Sequence, residues 1–134
     1  MGSILIIDDE EDIRDALQMV LESAGHDVKV ASNGNDAVEF QRENPADLII
    51  TDIIMPGKDG IVTIKEIRHE FPGIRIIAIS GGGGVHSNEY VPDAITTTAY
   101  LAAAKEAGAD IIFTKPFERK DLIQAVDNLF GKLH

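Results

Sequence analysis

Five short, mostly apolar runs alternate along this chain with segments of helical periodicity, and that alternation constrains the fold more than any other feature. Residues 4–7 (ILII), 28–31 (VKVA), 48–51 (LIIT), 74–79 (IRIIAI) and 111–113 (IIF) read as strands covered on both faces. Between them Ile13, Leu17, Val20, Leu21 and Ala24 recur at helical spacing, as do Ile61, Ile64, Ile67 and Phe71, and Leu122, Val126, Leu129 and Leu133. Segments 35–43 and 94–107 also read as helices, the first with a narrow apolar face of Ala37, Val38 and Phe40. Gly25 and Gly108 stand where helix C-termini favour a positive φ, and Pro45 and Pro72 follow predicted helix ends. The alternation predicts an α/β fold, a parallel five-stranded sheet with helices on both faces and right-handed crossovers. At 134 residues and 44% hydrophobic composition, one domain over 1–134 accounts for the chain.

Charge and composition remove several function classes. The 23 acidic residues outnumber 12 basic ones, and the resulting net charge of -11 repels nucleic acid and anionic membrane, so neither is expected as a direct partner. With no cysteine there is no disulfide framework, thiolate metal site or cysteine nucleophile. No stretch reads as a signal peptide or a spanning helix, and a cytoplasmic setting is expected.

In sheets of this class ligands gather beyond the carboxyl ends of the strands, where the strand order reverses. The apolar run 4–7 leads straight into five consecutive acids, Asp8 to Asp12. Asp8 and Asp9 thus follow the first strand, Asp52 follows the third, Ser80 ends the fourth and Lys115 follows the fifth, all on one rim. Three carboxylates crowded there are unfavourable alone, because two unit charges ~4 Å apart repel by ~4 kcal/mol at an effective dielectric of about 20. A hard divalent ion such as Mg²⁺ suits one or two carboxylates with carbonyl, water and phosphate oxygens, and Lys115 offers a compact positive charge for a phosphate.

The segments IIDDEEDIR, LIITDIIMPGKDG, IIAIS and TKPF resemble, in order and spacing, the receiver domain of two-component response regulators, of the kind found in chemotaxis regulators. The resemblance spans nearly the whole chain. It implies a flavodoxin-like (βα)5 fold with strand order 2-1-3-4-5, and a site that takes a phosphoryl group from a histidine kinase or a histidine phosphotransfer protein. Carried over by position, it makes Asp52 the phosphoacceptor, Asp9 a direct metal ligand and Asp8 the residue holding metal-bound water, with the backbone carbonyl of Ile54 completing the protein's ligands. Ser80 resembles the family's Thr/Ser that bonds a phosphoryl oxygen. Lys115 resembles the lysine that pairs with it, its peptide to Pro116 being cis in relatives. The implied cofactor is Mg²⁺, for which Mn²⁺ can substitute. Such a domain is no enzyme toward other substrates and catalyses only its own aspartyl phosphorylation and dephosphorylation. Catalysis there is positioning and electrostatics. In relatives, partners use the first helix near the site, which makes Ile13 and Arg14 candidates for a partner surface; Leu17 fits that surface or the core equally.

The chain departs from the family's pattern in three places. Ile112 stands where many relatives carry Tyr or Phe, three residues before the lysine. Ile54, two residues after Asp52, is apolar and cannot orient an attacking water. The segment from Ser80 to Gly108 is longer than in most relatives by roughly three helical turns. Within it, residues 81–84 (GGGG) lack the Lys-Ser/Thr of a nucleotide loop and read as a hinge or mobile cover. His26, His69, His86 and His134 show no ligand spacing and are expected on the surface, and Arg119 and Lys120 on a solvated turn.

Two other function classes fit the chain less well. An aspartyl-phosphate hydrolase also uses an aspartate nucleophile and Mg²⁺, but its layout puts a second aspartate where this chain has Ile54. A binding module that has lost phosphorylation fits poorly with a complete set of Asp8, Asp9, Asp52, Ser80 and Lys115. Only GKLH follows Phe130, so no output domain is expected in this chain, and the downstream partner is not identified.

Overall fold

The computed structural model describes residues 2–53, 60–80, 102–114 and 118–131. In chain order the elements are β1 (Ser3–Ile7), α1 (Glu11–Ser23), β2 (Asp27–Ala31), α2 (Gly34–Glu43), β3 (Leu48–Asp52), α3 (Gly60–Glu70), β4 (Arg75–Ser80), a helical stretch over 102–107 labelled α4, β5 (Ile111–Thr114) and α5 (Arg119–Gly131). All strand pairs are parallel and the order is β2-β1-β3-β4-β5. Each apolar run becomes a strand within one residue of its predicted limits. Interior strands β1 and β3 are buried almost throughout, whereas β2, at the sheet edge, exposes Asp27, Lys29 and Val30, which corrects the expectation that it is covered on both faces.

Strand periodicity then divides the core in two. Leu5, Ile7, Ile49, Ile76 and Ala78 face Ala37 and Val38 of α2, Ile64 and Ile67 of α3, and Ala104 and Ala107 of α4. Their neighbours Ile4, Ile6, Leu48, Ile50, Ile77 and Ile79 face Leu17 and Leu21 of α1 and Leu122, Val126, Leu129 and Phe130 of α5. Leu17 is therefore core. Ile112 turns toward the α2–α3–α4 side, while Ile111 and Phe113 turn to the other.

The helix ends use local chemistry. Asn33 caps α2 by accepting the Asp36 N–H at 2.8 Å. Gly25 and Gly108 take φ of 97° and 127°, as their positions after helices predict. Arg68 near the end of α3 ties three connections together. Its guanidinium donates to the carbonyls of Pro72, Ile74 and Gly108 at 2.8, 2.6 and 2.7 Å, and to the Asp110 carboxylate at 3.1 Å. The same carboxylate oxygen accepts the Ile76 N–H at 2.8 Å.

His26 corrects the expectation that the histidines lie on the surface. It is buried, with its ring stacked on Phe130 at a centroid distance of 5.2 Å. Nδ1 accepts the Gly2 N–H at 3.2 Å, so the proton sits on Nε2, 3.3 Å from Asp127 Oδ1. A single polar residue just before β2 gave no pattern from which burial could be read. His69 is exposed, as expected. Arg119 and Lys120 are also exposed, although they form the first turn of α5 rather than a loop. Residues 81–101, which hold the run 81–84, His86 and much of the predicted helix 94–107, lie outside the described residues, as do the Lys115–Pro116 peptide, Leu133 and His134. Among the described residues, no helix is long and apolar enough to cross a membrane.

Candidate functional site

At the carboxyl end of β1 the ladder stops and Asp8 begins to turn the chain. Its N–H still donates to Ala31 of β2 at 3.2 Å, but its carboxylate folds back to accept the Glu10 N–H at 2.9 Å. That bond directs Asp8 inward, where it is 1% exposed, and leaves Asp9 at the surface. Glu10 is the N-cap of α1, with φ -96° and ψ 116° and no side-chain capping bond. The α1 backbone then starts with the Arg14 N–H donating to the Glu10 carbonyl at 3.0 Å, and the Arg14 guanidinium donates to the Asp8 carbonyl at 2.8 Å.

Asp52 closes β3, in register with Ile79 of β4, and is 7% exposed. Because β1 and β3 are neighbours in the sheet, their carboxyl ends bring these acids together across the rim. One carboxylate oxygen each from Asp8, Asp9, Glu10 and Asp52 lies within 4.8 Å of the others. Mutual repulsion at that spacing is about 3 kcal/mol per pair at an effective dielectric of about 20. The donor set fits a hard divalent cation. Oxygen ligands about 2.1 Å from an octahedral Mg²⁺ stand roughly 3 to 4 Å apart, inside the span of this cluster.

The cluster unites three acids predicted from the sequence, Asp8, Asp9 and Asp52, and adds Glu10. Its signal was present in the run DDEED, but only the turn after β1 distinguishes Glu10 from Glu11 and Asp12. Gly60 was also missed: its N–H donates to the Ile53 carbonyl at 2.8 Å, which places the start of α3 against the peptide after Asp52. Of the other predicted residues, Ile54 and Lys115 lie outside the described residues. Ser80 is described in its backbone, which ends β4 opposite Thr114. Ile13 packs half-buried against the α1–α5 core, and Arg14 is half-buried beside Asp8.

Known proteins share this fold. The family model described as the response regulator receiver domain matches residues 4–127. NtrX from Brucella abortus, crystallised with ADP, superposes with a TM-score of 0.82 at 26% identity, over 98% of this chain and 27% of its own. This chain thus spans about a quarter of that relative. A response regulator receiver domain protein from Clostridium thermocellum gives 0.79 at 29% identity, over 98% of this chain and 96% of that one. The receiver domain of the Francisella response regulator 1452 gives 0.81 at 27% identity and covers 100% of both chains. With strand order, acidic rim and family match in agreement, this chain belongs to the receiver domains of two-component response regulators.

Proposed function

We propose that this domain takes up one phosphoryl group on Asp52, with Mg²⁺ bound, from the phosphohistidine of a histidine kinase or histidine phosphotransfer protein, and that the change alters its contacts with a downstream protein. The observation that carries the reading is the convergence of Asp8, Asp9, Glu10 and Asp52 on the rim formed by β1 and β3. Asp9, Asp52 and the Ile54 carbonyl would hold the cation directly, and Asp8 through water. Mn²⁺ would substitute. The bound ion supplies charge neutralisation for the phosphoryl oxygens.

The chain's own residues do the rest. A carboxylate oxygen of Asp52 forms the new P–O bond as the P–N bond to the donor imidazole breaks, and the bonding pair returns to the ring nitrogen. The backbone of β3 holds Asp52 in place, with Ile53 N–H bonded to Ile79 at 3.0 Å and Thr51 Oγ1 bonded to the Asp52 carbonyl at 3.0 Å. Lys115 and Ser80 would contact the transferred phosphoryl group, the lysine as a point charge and the serine as a hydroxyl donor. No external phosphate ester is turned over. The net charge of -11 supports protein rather than nucleic-acid partners, and a cytoplasmic setting accords with the donor.

Incubation with acetyl phosphate and Mg²⁺ followed by intact-mass spectrometry tests this. One phosphate per wild-type chain is expected, none in chelator and none on Asp52→Asn. Equal labelling of Asp52→Asn would sink the assignment, and sustained turnover of a phosphate ester would favour the hydrolase.

A further inference from the structure

Arg14 clamps the segment from which the acidic cluster is built. Its backbone N–H holds the Glu10 carbonyl at 3.0 Å, while its guanidinium Nη1 reaches back to the Asp8 carbonyl at 2.8 Å. One residue therefore grips both ends of the stretch Asp8–Glu10. The Asp8 carbonyl lies just past the last ladder residue, Ile7, which pairs with Ala31 and Thr51. A side-chain donor there fixes the peptide plane between Asp8 and Asp9. Glu10 gives α1 no side-chain cap, so this backward-reaching arginine does part of the holding at the helix start that a capping residue does elsewhere.

We infer that Arg14 is a positioning residue of the acidic pocket, orienting the Asp8–Asp9 peptide so that the carboxylates of Asp8 and Asp9 are presented together to a divalent cation. The inference rests on the proposed Mg²⁺-dependent phosphorylation of Asp52. It differs from the partner-docking role that the family resemblance suggests for Arg14, and it has a sign of its own. A guanidinium acting only as a nearby positive charge opposes cation binding, so its removal would tighten Mg²⁺. A guanidinium that orients ligands favours cation binding, so its removal weakens Mg²⁺, as loss of a residue supporting metal ligands does elsewhere by about tenfold or more.

The test compares Arg14→Met, which keeps the aliphatic stem, with Arg14→Lys, which keeps the charge but not the planar fork. Mg²⁺ affinity of the whole chain is measured by calorimetry, and labelling by acetyl phosphate is followed across Mg²⁺ concentrations. Acetyl phosphate needs no docked protein, so lost partner contacts cannot affect it. The expected result is about tenfold weaker Mg²⁺ binding in Arg14→Met, with Arg14→Lys between it and wild type. Labelling should slow in the same order at low Mg²⁺ and recover as Mg²⁺ rises. Unchanged or tighter Mg²⁺ binding in Arg14→Met overturns the inference, whatever happens to labelling by a kinase. Wild-type protein that binds no Mg²⁺ would instead overturn the proposed function, and the inference with it.

Discussion

The Gly60 N–H donates to the Ile53 carbonyl at 2.8 Å, so α3 starts in direct contact with the peptide that follows Asp52. A Cβ at position 60 would collide with the Asp52 carbonyl oxygen and stand 2.5 Å from Ile53 Cα, and backbone atoms cannot swing aside. Gly60→Ala is expected to destabilise the fold by about 1–3 kcal/mol, as overpacking does. It should also slow labelling of Asp52. Urea unfolding in chelator measures the first effect, and wild-type stability there would show that α3 shifts freely away from β3.

The crowded acids make a prediction of opposite sign. Neutralising one of them in Asp9→Asn is expected to raise the stability of the metal-free protein by about 1 kcal/mol, since it relieves repulsion within the cluster. The same variant should gain much less stability from added Mg²⁺ than wild type does. Urea melts with Mg²⁺ and with chelator decide both points, and an earlier melt of Asp9→Asn in chelator would reject the repulsion argument.

His26 joins the β1 end of the sheet to α5 through two unequal bonds. Asp127 is 60% exposed and can turn to water, whereas the Gly2 N–H points at a ring whose side chain is 1% exposed. His26→Phe keeps the stack on Phe130 but strips both partners, and is expected to cost about 1–2 kcal/mol. Asp127→Asn should change stability by less than about 0.5 kcal/mol. A larger loss for Asp127→Asn than for His26→Phe in thermal melts would reverse this ranking.

On the opposite face Arg42 of α2 and Glu70 of α3 form a bidentate pair, with N–O distances of 2.6 and 2.8 Å. The hydrogen bond from Arg42, together with its charge, holds the Glu70 carboxyl below the usual glutamate value. A lowered folded-state value means that the pair stabilises the protein above the unfolded glutamate pKa and loses that contribution as pH falls through the folded one. Wild type should therefore lose more stability than Glu70→Gln on acidification through that window, and the difference should shrink in high salt because both groups are exposed. Parallel pH series of thermal melts measure it; equal slopes would show that the pair contributes nothing.

The apolar runs determined the strands, because a strand in the interior of the sheet is buried on both faces and is mostly apolar, and the alternation with amphipathic helices determined that the sheet is parallel. Asp8, Asp9 and Asp52 were legible for the same reason: a strand's end can be read from where its apolar run stops, and the rim is where strands end. Tertiary structure alone decided the rest. Glu10 joins the cluster because the Asp8 carboxylate bends the chain at its N–H, a bond that no periodicity encodes. Arg14 faces the pocket because its side chain spans one helical turn to a carbonyl left outside the sheet ladder. Gly60 is needed because β3 and α3 approach more closely there than a side chain permits, and His26 is buried because Phe130, from the far end of the chain, lies against it. Sequence patterns record burial averaged over an element, whereas Glu10 and Arg14 are placed by single local bonds to Asp8 that no periodicity records, and Gly60 and His26 by single contacts between elements that exist only after the sheet has assembled.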